Sequence, residues 1–197
     1  MRRELISNSP VLTAGELVAG LPVDPLLAAV HSRVGSIRFE EGLVLLRADG
    51  ARQSEFARVN ERWRSDRAEP LRSLVVFGKE DMLAYYYATV PQWVDAQGHQ
   101  PVVKLDVHEE PYAVPLASNV DRFFDTYSHY LEALVAEPDY DELGPAALTF
   151  PWKVPEIVAR DRSLVELLRD GRFDFLMPKD EETRAWTAQV LDASVRR

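Results

Sequence analysis

Residues 74–117 read LVVFGKEDMLAYYYATVPQWVDAQGHQPVVKLDVHEEPYAVPLA, and this stretch decides the fold class. Leu74–Phe77 is a short apolar run that ends at Gly78. Met82–Thr89 is aromatic, Pro101–Val107 is rich in valine, and Tyr112–Leu116 closes the series. Aromatic and β-branched residues suit a pleated, half-buried surface. Asp95-Ala-Gln-Gly98 is a turn signal between the second and third runs. No helix-length segment separates the runs between 74 and 107, so they predict an antiparallel meander rather than βαβ units.

Downstream, Ser118-Asn-Val-Asp121 reads as a helix start, with Ser118 as the cap and a carboxylate at the third helical position. Phe124, Tyr127, Leu131 and Leu134 follow at helical spacing, and Phe123 and Tyr130 widen the stripe. A helix over 119–136 is expected. Upstream, Leu43–Arg47 reads as a strand ended by Ala-Asp-Gly at 48–50. Phe56, Val59 and Trp63 place one helical face within 51–65. In the first 30 residues, Leu17, Leu21 and Leu26–Val30 suggest short helices around the prolines. Residues 137–145 read as a loop. Beyond it come short helices at 155–160 and after Ser163-Leu-Val-Glu166, a capping-box match stopped at Gly171. A last helix is expected near 180–194. The expected fold is α+β: an antiparallel β-meander sheet flanked by helices over residues 1–137, with a helical C-terminal extension over 138–197. Trp152, Leu164, Leu168 and Trp186 give that extension apolar surface to dock on the same domain.

Composition narrows the function. The 197 residues fit one domain or one domain with an appendage. With no cysteine there is no disulfide framework, zinc ribbon or thiol nucleophile. A net charge of −9 argues against a nucleic-acid binder, because phosphates need local positive charge, and suits a basic protein partner. No apolar run approaches the roughly 20 residues of a membrane span, and MRRELISNSP lacks the apolar core of a signal peptide. A cytoplasmic chain with no membrane partner is expected. The charge is uneven: residues 1–70 are neutral, 71–137 carry −6 and 138–197 carry −3.

The ordered segments resemble the SUKH superfamily, which takes in the fungal cell-wall assembly regulator and many bacterial immunity proteins. Gly42-Leu-Val-Leu-Leu-Arg47 is similar to its first strand, and Phe56–Trp63 to the helix after it. Leu74-Val-Val-Phe-Gly78, followed by Glu80 and Asp81, resembles its apolar run ending in Gly. Tyr85–Tyr87 and Pro101–Leu105 sit where the family places its next strands. Pro115-Leu-Ala-Ser118, with Phe123 and Phe124 beyond, is similar to its closing strand-to-helix step. Leu21-Pro22 is present, but the family's double glycine is replaced by isolated Gly35 and Gly42. The resemblance implies a non-catalytic immunity protein that binds a cognate toxin. A regulatory or scaffolding protein on the same fold is the alternative.

The expected partner-binding residues are Glu80, Asp81, Tyr86, Trp93, Asp95, Asp106, Glu109 and Glu110. The carboxylates would steer a basic protein and the aromatics would anchor it. Tyr86 should face opposite to Tyr85 and Tyr87. A second reading is a small metal-dependent hydrolase using Asp106, His108 and Glu109, but a helical HExxH-type spacing is missing. No phosphate loop or G-x-S-x-G elbow occurs, so no catalytic residue, metal or cofactor is expected.

Overall fold

The computed structural model describes residues 12–39, 42–48, 54–80 and 84–196, together with the backbone of 2–4. The described elements run β1 (Arg2–Glu4), β2 (Leu17–Val18), β3 (Leu21–Pro22), α1 (Pro25–Arg33), β4 (Ser36–Arg38), β5 (Leu43–Leu45), α2 (Glu55–Asp66), β6 (Val75–Glu80), β7 (Tyr85–Thr89), β8 (Val102–Asp106), β9 (Tyr112–Ala117), α3 (Val120–Val135), α4 (Tyr140–Leu143), α5 (Pro155–Val158), α6 (Arg162–Arg169) and α7 (Glu181–Val195). The fold is α+β. Seven strands form one antiparallel sheet in the order β1-β4-β5-β6-β7-β8-β9, and β2 pairs with β3 apart from it. The expected runs become β5 to β9: β5, β7 and β8 are shorter than expected, while β6 continues through Gly78 to Glu80 and β9 reaches Ala117.

The register sorts the side chains. Gly78, Tyr87, Lys104 and Val114 lie across from one another on four strands. Strand alternation adds Glu80, Tyr85, Asp106 and Tyr112 to the same face. Helix α3 covers part of this face: the Phe123 ring packs tilted against Tyr87 at 5.4 Å and edge-on against Phe77 at 5.6 Å. Lys79, Tyr86, Leu105 and Ala113 point the other way, where Trp63 of α2 lies 5.3 Å from the Tyr86 ring. Asn60 fixes α2 to the sheet, its side chain donating to Val76 O at 2.7 Å and accepting from Val76 N at 2.8 Å. Val76 borders the irregularity between Val76 and Gly78, where the ladder with β7 breaks. A Cβ at Gly78 would stand 2.8 Å from Leu43 Cδ1, so the buried Leu43 side chain would have to shift to admit one.

The sequence reading needs four corrections. Within the expected loop 137–145, Tyr140–Leu143 forms the short helix α4. Leu17 and Leu21 belong to a hairpin, not a helix. Ala19 and Gly20 both have positive φ (50° and 80°), as a two-residue hairpin turn requires. The cap of α3 is Asn119, whose side chain accepts from Arg122 N. Ser118 instead donates to Asp161 through its N (2.6 Å) and its hydroxyl (2.9 Å). Helix α6 starts at its cap Asp161, two residues before the expected Ser163. Gly171 does follow that helix. Its φ of +67° and the bonds Arg172 N to Leu167 O and Gly171 N to Leu168 O close a Schellman motif.

Residues 138–197 share one buried cluster with the sheet. Phe150, Val154, Leu164, Leu168, Phe173, Leu176, Trp186 and Val190 are buried with Phe77, Tyr87 and Leu105. Leu176 O accepts from Ala113 N at the outer side of β9 (2.9 Å), and α5 packs between α3 and α7.

Candidate functional site

A cleft of about 430 Å³ opens where α3 stops covering the sheet. Its floor is two cross-strand rows. One row is Tyr85–Asp106–Tyr112, and the other is Tyr87–Lys104–Val114. Tyr127 and Tyr130 of α3 form one wall. Leu143 and the segment Thr149–Trp152 form the other. Thus residues beyond 138 build a side of the cleft rather than a remote appendage.

The charged groups on the floor are arranged closely. Lys104 Nζ lies 2.7 Å from Glu80 Oε1, and both side chains are 14% exposed. It also donates to Phe150 O at 3.2 Å and sits 4.5 Å from the Tyr85 ring centroid. Tyr87 O–H donates to the same Glu80 oxygen at 2.8 Å. Burial, with the Glu80 carboxylate beside it adding, pushes the Tyr87 hydroxyl well above its ordinary range. Asp106 faces Tyr112 across the strands and accepts from His108 N at 3.0 Å. Burial first, then the Asp106 charge, raises Tyr112 to about 12 and lifts Tyr85 as well. Tyr85, Tyr87 and Tyr112 are therefore neutral donors and π-faces at physiological pH.

The expected binding residues do not form one patch. Glu80 and Asp106 lie in the cleft, and Glu109 and Glu110 are exposed on the loop just after β8. Asp81 lies outside the described residues. Trp93 and Asp95 sit at the opposite end of β7 and β8, a strand length or roughly 17 Å away. There Trp93 packs edge-on against Phe173 and Phe175, both at 4.9 Å. Asp95 accepts from Gln97 N and His99 N, which holds the turn. Tyr86 is on the other face, against Trp63. Sequence reasoning missed Tyr112, Tyr127, Tyr130 and the 143–152 wall. Strand alternation from Tyr85 and Tyr87 was the available signal for the floor, but the wall comes from tertiary packing.

His108 is exposed with its ring 5.7 Å from that of Tyr85. Among the described residues no group of three His, Asp or Glu side chains is placed to hold a metal ion. No described helix is long and apolar enough to cross a membrane. No family model, curated protein or solved structure matches the chain.

Proposed function

We propose that the chain is a non-catalytic protein-binding module that docks a basic partner at the cleft end of the sheet. The observation that carries this reading is a tyrosine-lined cleft opening beside exposed Glu109 and Glu110. Tyrosines in a preformed depression are the usual anchors of protein interfaces, and flanking carboxylates speed encounter with a cation-rich surface. The carboxylates on the floor are held by a hydroxyl, a backbone N–H and one lysine, which suits recognition more than proton transfer. The resemblance of the ordered strands and helices to the SUKH immunity proteins favours a toxin as that partner.

The test is co-expression with the product of a neighbouring toxin-like gene, scored as colony survival and as association rate in a binding assay. Survival and a measurable complex are expected. Glu109→Lys with Glu110→Lys should slow association about tenfold at low salt, and less as salt rises. A basic partner bound without protection would favour the regulatory or scaffolding form of the module. No complex and no protection would sink the reading.

A further inference from the structure

The cleft already holds one cation, and the way it is held indicates what else fits. The Lys104 ammonium lies over the Tyr85 ring and against Glu80, close to the Tyr87 ring at 6.0 Å. That is the arrangement of a desolvated cation bound by π-faces and a carboxylate. Lys104 satisfies Glu80, but the floor carries a second carboxylate. Asp106 stands in the middle of a cross-strand row with Tyr85 on one side and Tyr112 on the other. Its hydrogen-bond partner is His108 N, and among the described residues it has no ion pair. The cleft thus holds two carboxylates against one ammonium, leaving a negative charge between two tyrosines.

We propose that this cleft receives one arginine side chain of a protein partner, its guanidinium over Asp106 and between the rings of Tyr85 and Tyr112. The inference rests on the interaction reading above and names the group recognised. Three features select arginine. Guanidinium is planar and stacks on aromatic faces, it meets a carboxylate with two parallel N–H donors, and it sheds water more easily than an ammonium. The volume of about 430 Å³ admits a side chain and not a folded element. Exposed Leu143 at the rim offers apolar contact to the residues flanking that arginine, and Glu109 and Glu110 outside attract further basic residues.

The experiment is an NMR titration of the full chain with N-acetyl-arginine amide and with its neutral isostere, N-acetyl-citrulline amide. Ring signals of Tyr85 and Tyr112 should shift with the arginine compound, which should bind at least tenfold more tightly than the citrulline compound. Asp106→Asn should lose about tenfold of that affinity, with an unchanged thermal midpoint showing that the fold is intact. Tyr85→Leu should weaken binding by a similar factor, while Glu109→Gln with Glu110→Gln should leave it nearly unchanged. Equal binding of the two compounds, or an unaffected Asp106→Asn, overturns the proposal. If arginine amide fails to bind but the Glu109/Glu110 charge reversal still slows partner association, the arginine site is wrong and the interaction module stands. If arginine amide binds at Asp106 and no protein partner is found, the site stands and the reading of its partner fails.

Discussion

Lys79 and Lys104 lie two strands apart on opposite faces of the sheet, and each pairs with a glutamate. Lys79 meets Glu55 of α2 at 2.8 Å, with the two side chains 35% and 28% exposed. Lys104 meets Glu80 at 2.7 Å with both side chains 14% exposed, under tyrosine rings and a carbonyl of the 143–152 wall. The residue types are the same, and what packs over them differs. On the α2 face, Trp63 and Asn60 sit directly on the strands, so the ion pair is left at the rim. On the other face α3 covers only part of the sheet, and a segment from beyond 138 bridges the remainder. A gap is left at its floor, and the ion pair lies inside it.

The largest test of this contrast is Phe123→Ala, which removes the ring that α3 sets on Phe77 and Tyr87. Urea denaturation should show a loss of about 4 kcal/mol. A loss near zero would mean that α3 does not hold that face. The lysines test the contrast directly. Lys104→Met leaves Glu80 buried without its cation and should cost about 3 kcal/mol. Lys79→Met should cost under about 1 kcal/mol, because water still reaches Glu55. Equal costs would erase the distinction between the faces.

A smaller effect belongs to the α2 side. His31 of α1 packs 5.6 Å from Phe56, and neither ring nitrogen has a hydrogen-bond partner. Burial lowers its pKa from 6.5 to about 4. As pH falls below 6.5 the unfolded chain takes up the proton and the folded chain does not, so stability drops until pH reaches about 4 and then levels. Between about pH 7.5 and pH 5 the loss should be roughly 2 kcal/mol. Asp24 acts in the opposite sense, since burial raises its pKa and the folded chain gains as pH falls. The difference between the wild type and His31→Leu isolates the histidine. A variant with the same pH slope as the wild type would show that His31 is not the source.

Local pattern carried the meander and α3, because valine and tyrosine runs and a 3.6-residue stripe are set by each segment's own burial. It did not carry β4 or the β2–β3 hairpin. Ser36–Arg38 is only three residues long, and the spacing of Leu17 and Leu21 is also a helical one. It misplaced two caps because Ser118 and Ser163 have the right residue type but another partner is stronger: Asp161 accepts from Ser118 N, Ser118 Oγ and Leu164 N at once. For the site, sequence separated Tyr86 from Tyr85 and Tyr87, but it grouped carboxylates by distance along the chain. Asp95 and Asp106 are eleven positions apart and sit at opposite ends of β8, and Phe150 reaches Lys104 from forty-six positions away.

The bond from Ala113 N to Leu176 O has a further meaning. β9 is the last strand of the sheet, and an uncovered last strand is a template on which another chain can add itself. Residue 115, which shares the outward direction of Ala113, is a proline and has no N–H to offer. Ser118 N at the strand's end is already taken by Asp161. The N–H groups of Ala113 and Ser118 are therefore occupied, and residue 115 has none. Residues 138–197 thus serve the sheet twice: 143–152 wall the cleft, and Asp161 and Leu176 take up donors of a border on which another chain could otherwise add itself.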